Sequence, residues 1–89
     1  MTTEETLAEW VRDHVAKVRD VVRESITLDQ WFSSYGLDSV DAVVMAGELE
    51  EDFGIEIDPA RFLACDSFGQ LITTLAPDID KAGERRVRS

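Results

Sequence analysis

The chain of 89 residues has one cysteine, one histidine, two prolines and five glycines, and each scarcity removes a class of function. Cys65 has no partner for an internal disulfide, which fits a reducing compartment. The only histidine, His14, is distant in sequence, so Cys65 reads as a small buried thiol rather than a nucleophile. One histidine without a cluster of Cys or carboxylates around it gives no metal site. No glycine-rich phosphate loop and no catalytic dyad is visible. A chain of this length builds one modest core but not a deep, multi-walled pocket, so a non-enzyme is expected.

Long apolar runs are missing as well. With an acidic, polar beginning at Met1-Thr2-Thr3-Glu4-Glu5, neither a membrane span nor a signal peptide is predicted, and a cytoplasmic monomer is expected. Cations are absent from one whole stretch. Between Arg23 and Arg61 there is no Lys or Arg, whereas Asp29, Asp38, Asp41, Glu48, Glu50, Glu51, Asp52, Glu56 and Asp58 all fall there. With a net charge of −10, the chain is ill suited to nucleic acid or anionic membranes and well suited to partners with basic surfaces. Beyond Asp80 the sign reverses, with Lys81, Arg85, Arg86 and Arg88 against Glu84. The lack of apolar periodicity there predicts a flexible basic tail over 79–89, after a folded unit over 1–78.

What is present is helical pattern. Hydrophobic residues make up 44% and charged residues 31%, the balance of a folded protein. Thr2 with Glu5 fits a capping box, and Leu7, Val11, Val15, Val18 and Val22 recur at helical spacing, with Trp10 and His14 at the margins. A first helix from about Thr3 to about Glu24 is predicted. From Ser25 to Leu37 the pattern fails, and Leu28, Trp31, Phe32, Tyr35 and Leu37 punctuate a long loop that they pin to the core.

Asp38 is placed to cap a second helix, with Val43, Ala46, Leu49 and Phe53 facing inward and Gly54 ending it. Val40 and Val44 stand on another face as an apolar ridge continued by Gly47, Glu48 and Glu51; Val40 reads equally well as tucked against the preceding loop. Asp58-Pro59 opens a short helix to about Ala64. Ser67 with Gln70 opens a last helix carrying Phe68, Leu71, Ile72 and Leu75, halted by Pro77. The expected fold is all-α: a small four-helix bundle of three main helices and one short one, with a long loop after the first.

Ser39 follows the predicted cap directly. A helix start favours negative charge through its free amides and macrodipole, so a phosphodiester would be well placed there. A self-sufficient nucleophile would not, because no base is at hand and Asp38 is committed to capping. On the residues alone, Ser39 is also readable as an ordinary helix-start serine.

Gly36-Leu37-Asp38-Ser39-Val40-Asp41 resembles the phosphopantetheine attachment motif of acyl carrier proteins. Leu49-Glu50-Glu51-Asp52-Phe53-Gly54-Ile55-Glu56-Ile57-Asp58-Pro59 resembles the acidic end of that family's second helix and its following turn, and Ser67-Phe68-Gly69-Gln70-Leu71 the start of its last helix. The resemblance covers roughly Leu7 to Leu75. It implies that a phosphopantetheinyl transferase moves 4′-phosphopantetheine from coenzyme A onto Ser39, with Asp38 supporting the junction, and that the arm carries acyl groups as thioesters. It further implies that Val40, Asp41, Val44, Glu48 and Glu51 meet basic surfaces on acyltransferases, ketosynthases or other biosynthetic enzymes.

Val40 stands where leucine is commonest in that family, Gly47 where a larger apolar residue is usual, and the loop Trp31-Phe32-Ser33-Ser34-Tyr35 is rich in aromatics. Val40 resembles carriers of polyketide pathways more than the fatty-acid carrier, and the aromatic loop, unusual against the fatty-acid version, leans towards specialised metabolism, so polyketide or related specialised biosynthesis is expected. The alternatives are a peptidyl or aminoacyl carrier, and an acidic helical adaptor whose Ser39 is never modified.

Overall fold

A computed structural model describes the backbone of residues 2–88 and the side chains of residues 2–82. Four helices are present: α1 Thr3–Arg19, α2 Ser39–Phe53, α3 Pro59–Leu63 and α4 Phe68–Arg88. Among the described residues there is no strand, so the all-α bundle of three main helices and one short one is the fold observed. No described helix is long and apolar enough to cross a membrane.

Helix α1 starts with the expected capping box between Thr2 and Glu5. It ends at Arg19, not near Glu24. Asp20 takes the left-handed conformation at φ 56°, and the Val21 N–H reaches back to the Ala16 carbonyl at 3.0 Å, closing the helix although the apolar spacing runs on. Val18 and Val22, expected in the inward stripe, are exposed, because the stripe that packs is Leu7, Val11 and Val15.

The connection is not structureless. Short 3₁₀ turns at Arg23–Ser25 and Phe32–Tyr35 interrupt it, and Ile26, Phe32 and Leu37 are buried. Trp31 and Phe32 pack with Phe62 and Phe68 into an aromatic cluster of tilted and edge-on rings, with Phe32 and Phe68 centroids 5.1 Å apart. The Thr27 N–H donates to the Tyr35 hydroxyl at 2.8 Å. The start of α4 is bound into the same loop, with Phe68 N–H on the Gln30 carbonyl at 2.9 Å and Gly69 N–H on the Leu28 carbonyl at 2.7 Å.

The core of α2 is Ala42, Met45, Ala46 and Leu49, a stripe at i, i+3, i+4 and i+7. That register turns Val43 outward, 57% exposed, against the expectation that it faces in. Gly54 ends α2 at φ 65°, and α3 begins with Pro59 behind the Asp58 cap, both as expected.

Pro77 does not halt α4. The helix passes through it to Arg88, because Leu75, Ala76, Ile79 and Ala82 keep packing on the bundle on both sides of the proline and offset its missing N–H. The packing therefore continues past the expected boundary at 78, and the Asp80 carboxylate accepts a hydrogen bond from the Thr3 hydroxyl. The side chains of the predicted tail beyond 82 lie outside the described residues.

Candidate functional site

The junction into α2 is built by four consecutive residues. Gly36 has φ 72°, a conformation strained for any side chain, and its N–H closes the preceding turn on the Phe32 and Ser33 carbonyls. Leu37 is buried and its N–H binds the Phe32 carbonyl at 2.9 Å, which anchors the chain just before the helix. Asp38 is extended. Its Oδ1 accepts the N–H groups of Val40 at 3.0 Å and Asp41 at 3.2 Å, while the Asp41 carboxylate accepts the Asp38 N–H at 3.0 Å. This reciprocal box, the Asp41 amide above all, holds the Asp38 carboxyl below its ordinary pKa.

Ser39 is then the first helical residue. It is exposed, and its hydroxyl makes no hydrogen bond with any described residue. Asp38, ionised and committed to two amides, is a poor base for it, so the hydroxyl is free but unactivated. The arrangement suits modification by an external catalyst. There is open space for a phosphodiester on that oxygen, and the macrodipole favours one. The amides of Val40 and Asp41, expected to be free for an anion, are instead occupied by Asp38.

Around α2 the expected partner residues separate onto different faces. Val40, Val44, Gly47 and Glu51 follow i, i+4, i+7 and i+11 and form one solvent-facing stripe, with Val40 67% and Val44 53% exposed. Asp41 is half-buried and held in the capping box. Glu48 is turned toward α1, where it accepts the His14 Nδ1–H at 2.9 Å. Burial lowers the pKa of His14 and Glu48 opposes that, so at neutral pH the contact is a hydrogen bond from neutral imidazole. Trp10 stacks on His14 with centroids 5.0 Å apart, and its Nε1–H donates to Asp52 at 2.7 Å. The sequence placed Trp10 and His14 at the edge of the apolar stripe but gave no sign of what they bind.

On the opposite side, Ser39, Val43, Ala46 and Glu50 share a face. Val43, Ala46, Gly47, Ile57, Pro59 and Leu63 line an open cleft of about 180 Å³ between α2 and α3. Its floor is held by the Ile57 N–H, which donates to the Glu50 carboxylate at 2.8 Å. Leu63, 45% exposed, was not singled out in the sequence, where a five-residue helix carries too little periodicity to assign faces. Cys65 is buried as expected, and burial pushes its thiol pKa up. Among the described residues no group of three His, Cys, Asp or Glu could hold a metal ion.

Comparison with known proteins identifies the family. The family described as "Phosphopantetheine attachment site" matches residues 9–75. A "Polyketide synthase 2" of Metarhizium acridum (strain CQMa 102) is 33% identical over 55 residues, 62% of this chain and 3% of that protein. The "Acyl carrier protein 1, chloroplastic" of Spinacia oleracea is 38% identical over 55 residues, 53% of this chain and 40% of that protein. The chain thus spans less than half the length of either relative. Members of this family are carriers rather than catalysts. They work with a phosphopantetheinyl transferase and with biosynthetic enzymes. The family match takes in most of α1, the whole connection, α2, α3 and the first turns of α4, and this chain belongs to the acyl carrier protein family, with 4′-phosphopantetheine as its covalent group.

Proposed function

We propose that Ser39 is the attachment residue and that the protein carries acyl intermediates as thioesters in polyketide-type biosynthesis. The observation that carries this is the division of labour at the helix start: Asp38 does the capping, so the Ser39 hydroxyl is exposed and unbonded. When attached, the arm supplies a terminal thiol for the cargo. The transferase must bring the base that takes the Ser39 proton, since Asp38 is held ionised in its box. As the Ser39 Oγ–P bond forms, the pyrophosphate linkage of coenzyme A breaks and the adenosine bisphosphate leaves.

Partner contact is assigned to the stripe of Val40, Val44 and Glu51, with Asp41 and Glu48 at its flank. An exposed apolar ridge with acidic neighbours favours brief, steered encounters with basic surfaces, as a shuttle requires. The polyketide assignment over a fatty-acid one draws support from the relative named as a polyketide synthase and from Val40, and the aromatic loop leans towards specialised metabolism.

The test is the intact mass of the protein before and after coenzyme A and a phosphopantetheinyl transferase, with Ser39→Ala as the control. A gain of one phosphopantetheinyl group that vanishes in the variant is expected. No gain on folded protein with several transferases leaves an unmodified adaptor. Loading assays on the modified protein then separate acyl from aminoacyl cargo.

A further inference from the structure

The macrodipole favours an anion on Ser39, but the helix start leaves it few free amides and puts two carboxylates nearby. The carboxylates of Asp38 and Asp41 stand on either side, and the Val40 and Asp41 amides that would bind a phosphate already bind Asp38. No Lys or Arg occurs between Arg23 and Arg61. Arg23 is held by Glu9 and Asp13, and Arg61 lies 3.9 Å from Asp78. Lys17 lines the hollow beside His14, Glu48 and Asp52, two residues and so about half a turn around α1 from Arg19.

Arg19 is different. It is the last residue of α1, exposed, and has no hydrogen bond or ion pair with a described residue. Its Nη2 lies 3.9 Å from where a Cβ on Gly36 would stand. Two residues separate Gly36 from Ser39, which limits their Cα separation to about 11 Å. The seam between the helices gives only the height of Arg19: Trp10 meets Asp52 and His14 meets Glu48, so α1 and α2 run antiparallel in a register that puts Arg19 level with Val43, about one turn along α2 from Ser39.

We infer that Arg19 is a positioning residue for the arm: its guanidinium holds the phosphodiester on Ser39 and offsets the charge of Asp38 and Asp41. This rests on Ser39 being the attachment residue. An arginine suits the task, being permanently charged and able to give two parallel hydrogen bonds to a phosphate. Without a partner among the described residues, it would be engaged once the phosphate is in place, tethering the root of the arm while the thiol end stays mobile.

The test is the ³¹P resonance of the modified protein, followed as salt is raised, for the wild type and for Arg19→Gln and Arg19→Lys. Intact mass checks attachment first. A chain that gains no group at Ser39 fails the attachment reading, and with it the basis of this inference. For modified protein, the expected result is a wild-type resonance displaced from that of a phosphopantetheinyl-serine peptide and moving toward it with salt. Arg19→Gln should lie closer to the peptide position and move less with salt, with Arg19→Lys between. Superimposable wild-type and Arg19→Gln titrations would overturn the inference, as would a lysine variant that recovers nothing. Circular dichroism confirms that both variants fold, as expected for an exposed side chain.

Discussion

Two serines stand at helix starts in this chain, and the structure uses them in opposite ways. Ser67 is fully employed: its hydroxyl accepts the Gln70 N–H at 3.1 Å, and the Gln70 side chain reaches back to the Asp66 N–H at 2.6 Å. The next two amides are bound by loop carbonyls, and Phe68 is entirely buried. At Ser39 the neighbour takes over the cap, and the hydroxyl is left with nothing to do in the fold. A serine can be given to chemistry without cost to stability only when the residue before it closes the helix. The aspartate of the motif is therefore a structural condition for the serine, whatever else it offers a transferase.

Breaking the two starts should give contrasting results. Phe68→Ala removes the ring that joins α4 to the aromatic cluster and is expected to cost about 3–5 kcal/mol in urea unfolding, enough to endanger folding. Ser67→Ala should cost about 1 kcal/mol while the intact-mass gain with coenzyme A is unchanged. Asp38→Ala, which removes a cap holding two amides, should lower stability by a similar amount and slow modification. The lowered pKa of Asp38 gives the sign of its pH dependence: its contribution is complete above the ordinary aspartate pKa of about 3.9 and is lost as pH falls below it. Asp38→Asn, which keeps the acceptor, should flatten that acid limb. Ser39→Ala should move stability by no more than about 0.5 kcal/mol yet abolish the mass gain entirely. A Ser39→Ala protein that unfolds, or a Ser67→Ala protein that fails to load, would break the comparison.

The capping residues explain why so much was legible in the sequence. Thr2, Asp38, Asp58 and Ser67 each act within three residues of themselves, so spacing alone places the four helix starts. The misjudged features depend on the rest of the molecule. Val43 has the spacing of a core residue, but Met45 and Ala42 take the inward positions once α2 settles against its neighbours. The valine pattern beyond Arg19 looks helical until Asp20 adopts a left-handed backbone. Pro77 should end a helix by its own chemistry, and packing of Ile79 and Ala82 on the core overrides it. At the proposed site, the sequence pointed to Ser39 through its motif. The contacts of His14 and Trp10, and the approach of Arg19 to Gly36, join residues too far apart in sequence for any local pattern to register.

The stack of Trp10 on His14 makes the seam between α1 and α2 optically visible. Protonated imidazole quenches a stacked indole, so emission from Trp10 should dim as His14 titrates, while Trp31, walled in by phenylalanines, supplies a steady background. Because burial lowers the His14 pKa, the dimming belongs below the ordinary histidine value of about 6.5, and so does the accompanying loss of stability. Anything that pries α2 away from α1 would brighten or dim the same indole at constant pH. The protein thus carries an unlabelled fluorescent gauge of that seam, set where the acidic side of α2 meets the first helix.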